Sequence, residues 1–154
     1  MSINQLGDKT TGHSIGLAYL SDTIKNWDGV DLNYGIGTFP LTGTQTLLVT
    51  RYLTLTQPSA LLVTLNVSFY FSSSGSSDSV QIAVSTDPAG ASVIASTTIY
   101  SQANASCSQS AGLNFVRNGY PTGTATYYVT AFRSATSTAI SLIHIDATTI
   151  GLPQ

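Results

Sequence analysis

Histidine is the side chain best suited to move protons near neutral pH, and this chain has two, His13 and His144. His144 stands two positions before Asp146, so in a strand both side chains leave by the same face. A Ser-His-Asp site could draw on the abundant serines; a structural histidine in a strand is the reading carried forward. Acid–base work by paired carboxylates would need two of the seven aspartates brought together by the fold. They are scattered, and there is no glutamate. Asp22, Asn26, Asp28, Asp31 and Asn33 offer hard oxygen ligands of the kind that calcium takes. Their spacing does not follow an EF-hand loop, and turn-forming Asp and Asn account for the cluster equally well. Gly35-Ile36-Gly37 lacks the strand-then-helix setting of a phosphate loop. Cys107 is the sole cysteine, so no disulfide forms within the chain. The chain reads as a non-enzyme, with no catalytic residue, metal or cofactor expected.

Whatever these residues do, strands must position them. Charged residues are 8% of the chain, against roughly 25% in an average soluble domain. Lys and Glu, the usual solvent-facing helix formers, are almost missing. Ser and Thr together number 43, and Thr, Val, Ile and Tyr favour strands. The expected fold class is all-β with a neutral, hydroxyl-rich surface. At 154 residues the chain can bury a core without disulfides. Net charge is −2 and the five basic residues are dispersed, so nucleic acid is not an expected partner. No apolar run reaches the roughly 18 residues of a spanning helix, so neither is a membrane. Residues 1–14 lack the cationic and apolar regions of a signal peptide, and a lone cysteine suits synthesis in a reducing cytoplasm.

The pattern changes near residue 38. Residues 1–38 hold six of the twelve charged side chains and no sustained alternation. They read as an N-terminal arm, with a short helical turn over Ser21–Asn26 capped by Ser21. A solvated tail would not carry so many large apolar groups. Ile15, Leu17, Tyr19, Trp27 and Tyr34 are therefore the expected partner-binding residues. Residues 39–154 read as a β domain with seven or eight strands. Leu47, Val49, Leu53 and Leu55 share one face of a strand over Thr46–Thr56. Leu61, Val63, Leu65, Val67, Phe69 and Phe71 form an almost unbroken apolar face after a Gln57-Pro58-Ser59 turn. Val80, Ile82 and Val84 alternate before an Asp87-Pro88-Ala89-Gly90 turn, and Ser92–Tyr100 follows. Gln102–Ser110 reads as a polar connection, Leu113 and Phe115 as a short strand, and Asn118-Gly119-Tyr120-Pro121 as a turn. Thr124–Ser134 is a long strand. Thr138–Ile150 is apolar on both faces, which suggests a strand covered on both sides. Turns every 8–14 residues or so give an antiparallel β-sandwich or jelly roll.

Tyr127, Val129 and Ala131 face one way from their strand; Tyr128, Thr130 and Phe132 face the other. One row is core. The other, with its Tyr and Phe, suits a subunit interface. Tyr128, Phe132 and His144 are the expected oligomer contacts, and closed symmetry would hide the apolar surface.

The stretch from Tyr52 to Phe69, with its Pro-containing turn and long apolar alternation, resembles the early strands of compact trimeric jelly rolls. These are the tumour-necrosis-factor/C1q-like superfamily and its bacteriophage relatives. Ala125–Phe132, a Ser/Thr turn and then Ser141–Ile145 resemble the last two strands of the phage members. Ser59-Ala60-Leu61 departs from the Gly-x-Tyr that often follows the Pro turn in C1q-like domains, and the final strand lacks that family's Phe-Gly pair. The resemblance implies a homotrimer, a structural virion protein that decorates and cements a phage head. Its partner would be the major capsid protein, and its location the virion, assembled in the host cytoplasm. The alternative is a fibre tip or carbohydrate-binding adhesin that takes a host-surface glycan through loops 72–79 and 102–110, with Tyr100 or Tyr120 stacking on sugar.

Overall fold

The computed structural model describes residues 27–72, 78–101, 106–134 and 139–154. They form eight strands: β1 (Trp27–Asn33), β2 (Thr46–Leu55), β3 (Ser59–Phe71), β4 (Ser79–Ser85), β5 (Val93–Tyr100), β6 (Cys107–Tyr120), β7 (Gly123–Arg133) and β8 (Ile140–Pro153). Two four-stranded antiparallel sheets result, one ordered β1-β8-β3-β6 and the other β2-β7-β4-β5. That interleaving, in which successive strands mostly alternate between sheets, is the double Greek key of a jelly roll. The expected all-β sandwich is the observed fold.

The alternation in β3 explains its central place. Leu61, Val63, Leu65, Val67, Phe69 and Phe71 all point into the sandwich and are buried. Opposite them lie Leu53 and Leu55 of β2, Val80, Ile82 and Val84 of β4, and Tyr127, Val129 and Ala131 of β7. Face-to-face sheets leave about 10 Å for such interdigitated side chains. Ser59, Asp87 and their neighbours close the ends. The β4–β5 turn is held by the Asp87 carboxylate, which accepts hydrogen bonds from the amides of Ala89, Ala91 and Ser92. Gly90 in that turn has φ +73 and lies against the side chain of Gln45, so a Cβ there would meet both backbone strain and a clash.

Four elements differ from the sequence reading. Trp27–Asn33, inside the stretch assigned to the arm, is an edge strand paired along its length with β8. Phe39 and Leu41 then continue the same pairing, with Leu142 N donating to Phe39 O and Leu41 N to Ile140 O. β6 begins at Cys107 and runs to Tyr120, absorbing residues read as a polar connection and a turn. The turn that follows is Pro121-Thr122, and Gly119, at φ +83, sits in a bulge of β6 opposite β3. β8 is not covered on both sides. Its register against β3 jumps from Ser68↔His144 to Phe69↔Leu142, leaving Ile143 as a bulge that inverts the alternation. Ile140 and Leu142 before it, and Ile145 and Ala147 after it, therefore all face one core. A second bulge at Leu48 of β2 does the same: Leu48 is buried and Leu47 is turned outward.

Candidate functional site

The outer face of the β1-β8-β3-β6 sheet is polar at its centre. One row across it reads Asn33, His144, Ser68, Ser110, and the next reads Asp31, Asp146, Asn66, Gly112. His144 Nδ1 lies 2.7 Å from Asn33 Oδ1 and 3.6 Å from Asp31 Oδ1. Asp146 leaves by the same outer face as His144, as the two-residue spacing predicts, and stands in the next row between Asp31 and Asn66. Ser68 stands opposite His144, but its hydroxyl is bonded to that of Ser110 at 2.6 Å. A nucleophile needs its base within hydrogen-bond reach and a pair of oxyanion donors. On a flat sheet face the backbone amides are spent on the ladder, so this row binds His144 into the sheet and supplies neither.

The sequence also spells Gly12-His13-Ser14-Ile15-Gly16, the Gly-x-Ser-x-Gly pattern of a nucleophile elbow. An elbow requires a helix directly after the serine. These residues, with Ile15, Leu17 and Tyr19, the Ser21–Asn26 turn, and Asp22 and Asn26, lie outside the described residues. Of the oxygen-rich cluster, Asp28 leaves one face of β1, and Asp31 and Asn33 leave the other. Among the described residues no three His, Cys, Asp or Glu side chains come together as metal ligands.

A polar group that no sequence pattern marks lies between the sheets at their β1/β2 side. Arg51, on the inward face of β2, forms an ion pair with Asp28 of β1 and donates to Gly29 O at 2.9 Å. Beside them the Tyr127 and Thr149 hydroxyls share a hydrogen bond. Burial pushes the Tyr127 phenol above its ordinary value, against the opposing pull of the Thr149 bond. The group joins the edge strands of two sheets. The only signal in sequence is a charge, Arg51, at an apolar phase of an alternating strand.

The outer face of the β2-β7-β4-β5 sheet is different in kind. Leu47, Tyr52, Val93, Tyr100 and Phe132, five of the eight exposed large hydrophobics among the described residues, lie on it by register. Tyr128 is half-buried among them. Gln45 crosses the face to donate to Thr130 Oγ1 at 2.6 Å. Of the expected contact residues, the structure thus puts Tyr128 and Phe132 together here, and His144 on the other sheet. Trp27 opens β1, its backbone opposite Ile150. The Tyr34 ring packs within this chain on Phe39, centroids 5.2 Å apart. Tyr100 is exposed at the end of β5, whereas Arg117 covers the Tyr120 ring at 5.5 Å.

No family model matches this chain, and no curated protein matches it in sequence. Solved structures with similar folds include dimeric latent PorU from Porphyromonas gingivalis, at TM-score 0.49 and 13% identity over 82% of this chain. The T13 viral particle of IBDV follows at TM-score 0.44, 10% identity and 82% coverage. The tumour-necrosis-factor protein Eiger from S. frugiperda matches at TM-score 0.38 and 14% identity, over 82% of this chain and 86% of that one. This chain spans only 13% of PorU and 31% of the IBDV chain. Viral capsid and tumour-necrosis-factor-like proteins are thus among its structural neighbours.

Proposed function

We propose that this protein is a structural component of a virion: a homotrimeric decoration protein that sits on a phage head, touches the major capsid protein and stabilises the shell without catalysing a reaction. The observation that carries the reading is the outer face of β2-β7-β4-β5. A monomer rarely leaves a contiguous group such as Leu47, Tyr52, Tyr128 and Phe132 open to water. Closed symmetric association covers it without open-ended stacking. Jelly rolls are a common architecture of viral capsid domains, and the Tyr52–Phe69 and Ala125–Phe132 stretches resemble the trimeric phage members. A trimer that touches several capsid subunits gains from joined weak contacts and stabilises the assembled state by mass action.

Sedimentation of the full chain tests the trimer, and Tyr128→Asp with Phe132→Asp should drive it to monomer. Heads that lack the protein should release DNA at a lower temperature than decorated heads. The receptor-binding alternative is favoured by one observation, Tyr100 at 68% exposure at the end of β5. Equal robustness of the two kinds of head, with loss of attachment to host cells, would select it.

A further inference from the structure

The two open sides of the sandwich are managed differently. On the β1/β2 side, Asp28 and Arg51 meet between the sheets, and inward charges on edge strands discourage pairing with another chain. On the other side, β5 has no charged residue, and β6 has only Arg117 in its 14 residues. Among the described residues β6 pairs with β3 alone, and its far edge presents amides and carbonyls with no strand partner there over roughly 44 Å. An edge this long and this lightly charged is a template for strand addition.

The core is also incomplete there. Val63, Leu65 and Val67 of β3 are each 1% exposed, while the core-facing Ala111, Leu113 and Phe115 beside them on β6 are only half-buried. An open cavity of about 500 Å³ lies at the end of this side, lined by Val93 and Ile94 of β5 and by Phe115, Val116 and Arg117 of β6.

We propose that residues 14–20 of a second copy of this chain add to the β6 edge as an antiparallel strand, with Ile15, Leu17 and Tyr19 turned toward that cavity. The segment has the required pattern. Ile15, Leu17 and Tyr19 alternate with Gly16 and Ala18, large apolar groups on one face and small ones on the other. No charge falls between Lys9 and Asp22. Placing Leu17 opposite Phe115 sets Tyr19 beside Leu113 and Ile15 beside Arg117, each on the half-finished side of the core. Ala18 then lies opposite Asn114, and Gly16 opposite Val116. The chain's own β6 is a poor acceptor. β1 is at the opposite edge of the same sheet, so a strand added beyond β6 lies about four strand spacings, or 19 Å, from it. Residues 21–26 would have to run almost fully extended across the outer face to cover that span. A neighbouring copy imposes no such stretch. The inference goes beyond the virion reading and does not rest on it, since it requires only that copies meet.

The full chain carrying Cys107→Ser tests it without capsids. Separately purified Ala18→Cys and Asn114→Cys variants, mixed and oxidised, should give a disulfide-linked heterodimer that neither gives alone. A chain carrying both substitutions should link between molecules. In wild-type protein the outward amides of residues 111–117 should be protected from exchange, and Leu17→Asp should speed their exchange by about 30-fold or more. The β3 amides should keep their protection and serve as the control for folding. Equal β6 exchange in wild type and Leu17→Asp overturns the proposal, as does a bridge formed only within one chain. Either result leaves the decoration reading standing, and failure of the head-stability test leaves this one standing.

Discussion

Replacing Asp28 with Asn should destabilise the protein by about 2 kcal/mol, between the value of an exposed ion pair and that of a fully buried one. The estimate follows from accessibility. The side chains of Arg51 and Asp28 are 15% and 26% exposed, so neither is free in solvent and neither is sealed. With the negative charge removed, the Arg51 guanidinium keeps a neutral amide oxygen and Gly29 O at 2.9 Å, and its buried Nε has no partner among the described residues. Arg51→Met should cost less, about 1 kcal/mol, because the methionine fills apolar space and Asp28 can still reach water. The double variant should cost less than the sum, with a coupling of about 1 kcal/mol. Urea unfolding of the four chains gives each value by linear extrapolation. The Asp28→Asn midpoint on heating should fall by roughly 4–8 °C. A cost within about 0.3 kcal/mol of zero, or additive single variants, would refute the claim that this pair ties β1 to β2.

Phe69→Ala, at the centre of β3, should cost about 3–5 kcal/mol in the same assay, through lost transfer energy and the cavity left behind. Removing residues 1–26 takes away the strand that a second copy adds to β6, so the thermal midpoint should fall at concentrations where copies associate, whereas removing 1–38 should also cause aggregation, because it strips β1 and bares the edge of β8. Stability should fall on both sides of neutral pH. Tyr127 is raised above its ordinary 10.0, so its contribution is intact below pH 10 and lost as pH rises past that value and through the folded pKa. Tyr127→Phe should flatten this alkaline limb in melts taken from pH 8 to 12. Asp87 is lowered from 3.8 by the amides of Ala91 and Ser92, so its contribution is present above pH 3.8 and lost as pH falls through the folded pKa. Asp87→Asn should flatten that acid limb.

β3 and β7 were legible because each carries its whole environment in its alternation: one face meets the core and the other does not. β1 was not. Asp28, Gly29, Asp31 and Asn33 are poor strand formers, and what holds Asp28 inward is Arg51, which belongs to another sheet. The first half of β6 was unreadable for a related reason. Cys107, Gln109 and Ala111 face a half-open core, so they lack the apolar weight that marks a buried face. In β8 the residues were read correctly but their phase was not, since a single bulge at Ile143 makes one apolar face look like two. The outward aromatic pair Tyr128 and Phe132 was found by period alone. The Arg51–Asp28–Tyr127–Thr149 group was out of reach, because each member sits on a different strand and only the pairing brings them together.

Pairing of β1 with β8 also bears on how the protein is made. Asn33 finds His144 across 111 positions of chain, so the first strand of the sandwich has no partner until the eighth has left the ribosome. Until then β1 and β3 flank an empty slot in their sheet, while β4 and β5 can already close as a local hairpin. Contacts of such long range make for slow folding and leave unpaired edges exposed in the interval. The uncharged edge of β3 would make that interval the time when copies in a crowded polysome are most prone to pair wrongly. Expression at lower temperature, or as slower synthesis, should therefore raise the soluble yield more for this chain than for a sandwich whose neighbouring strands are consecutive.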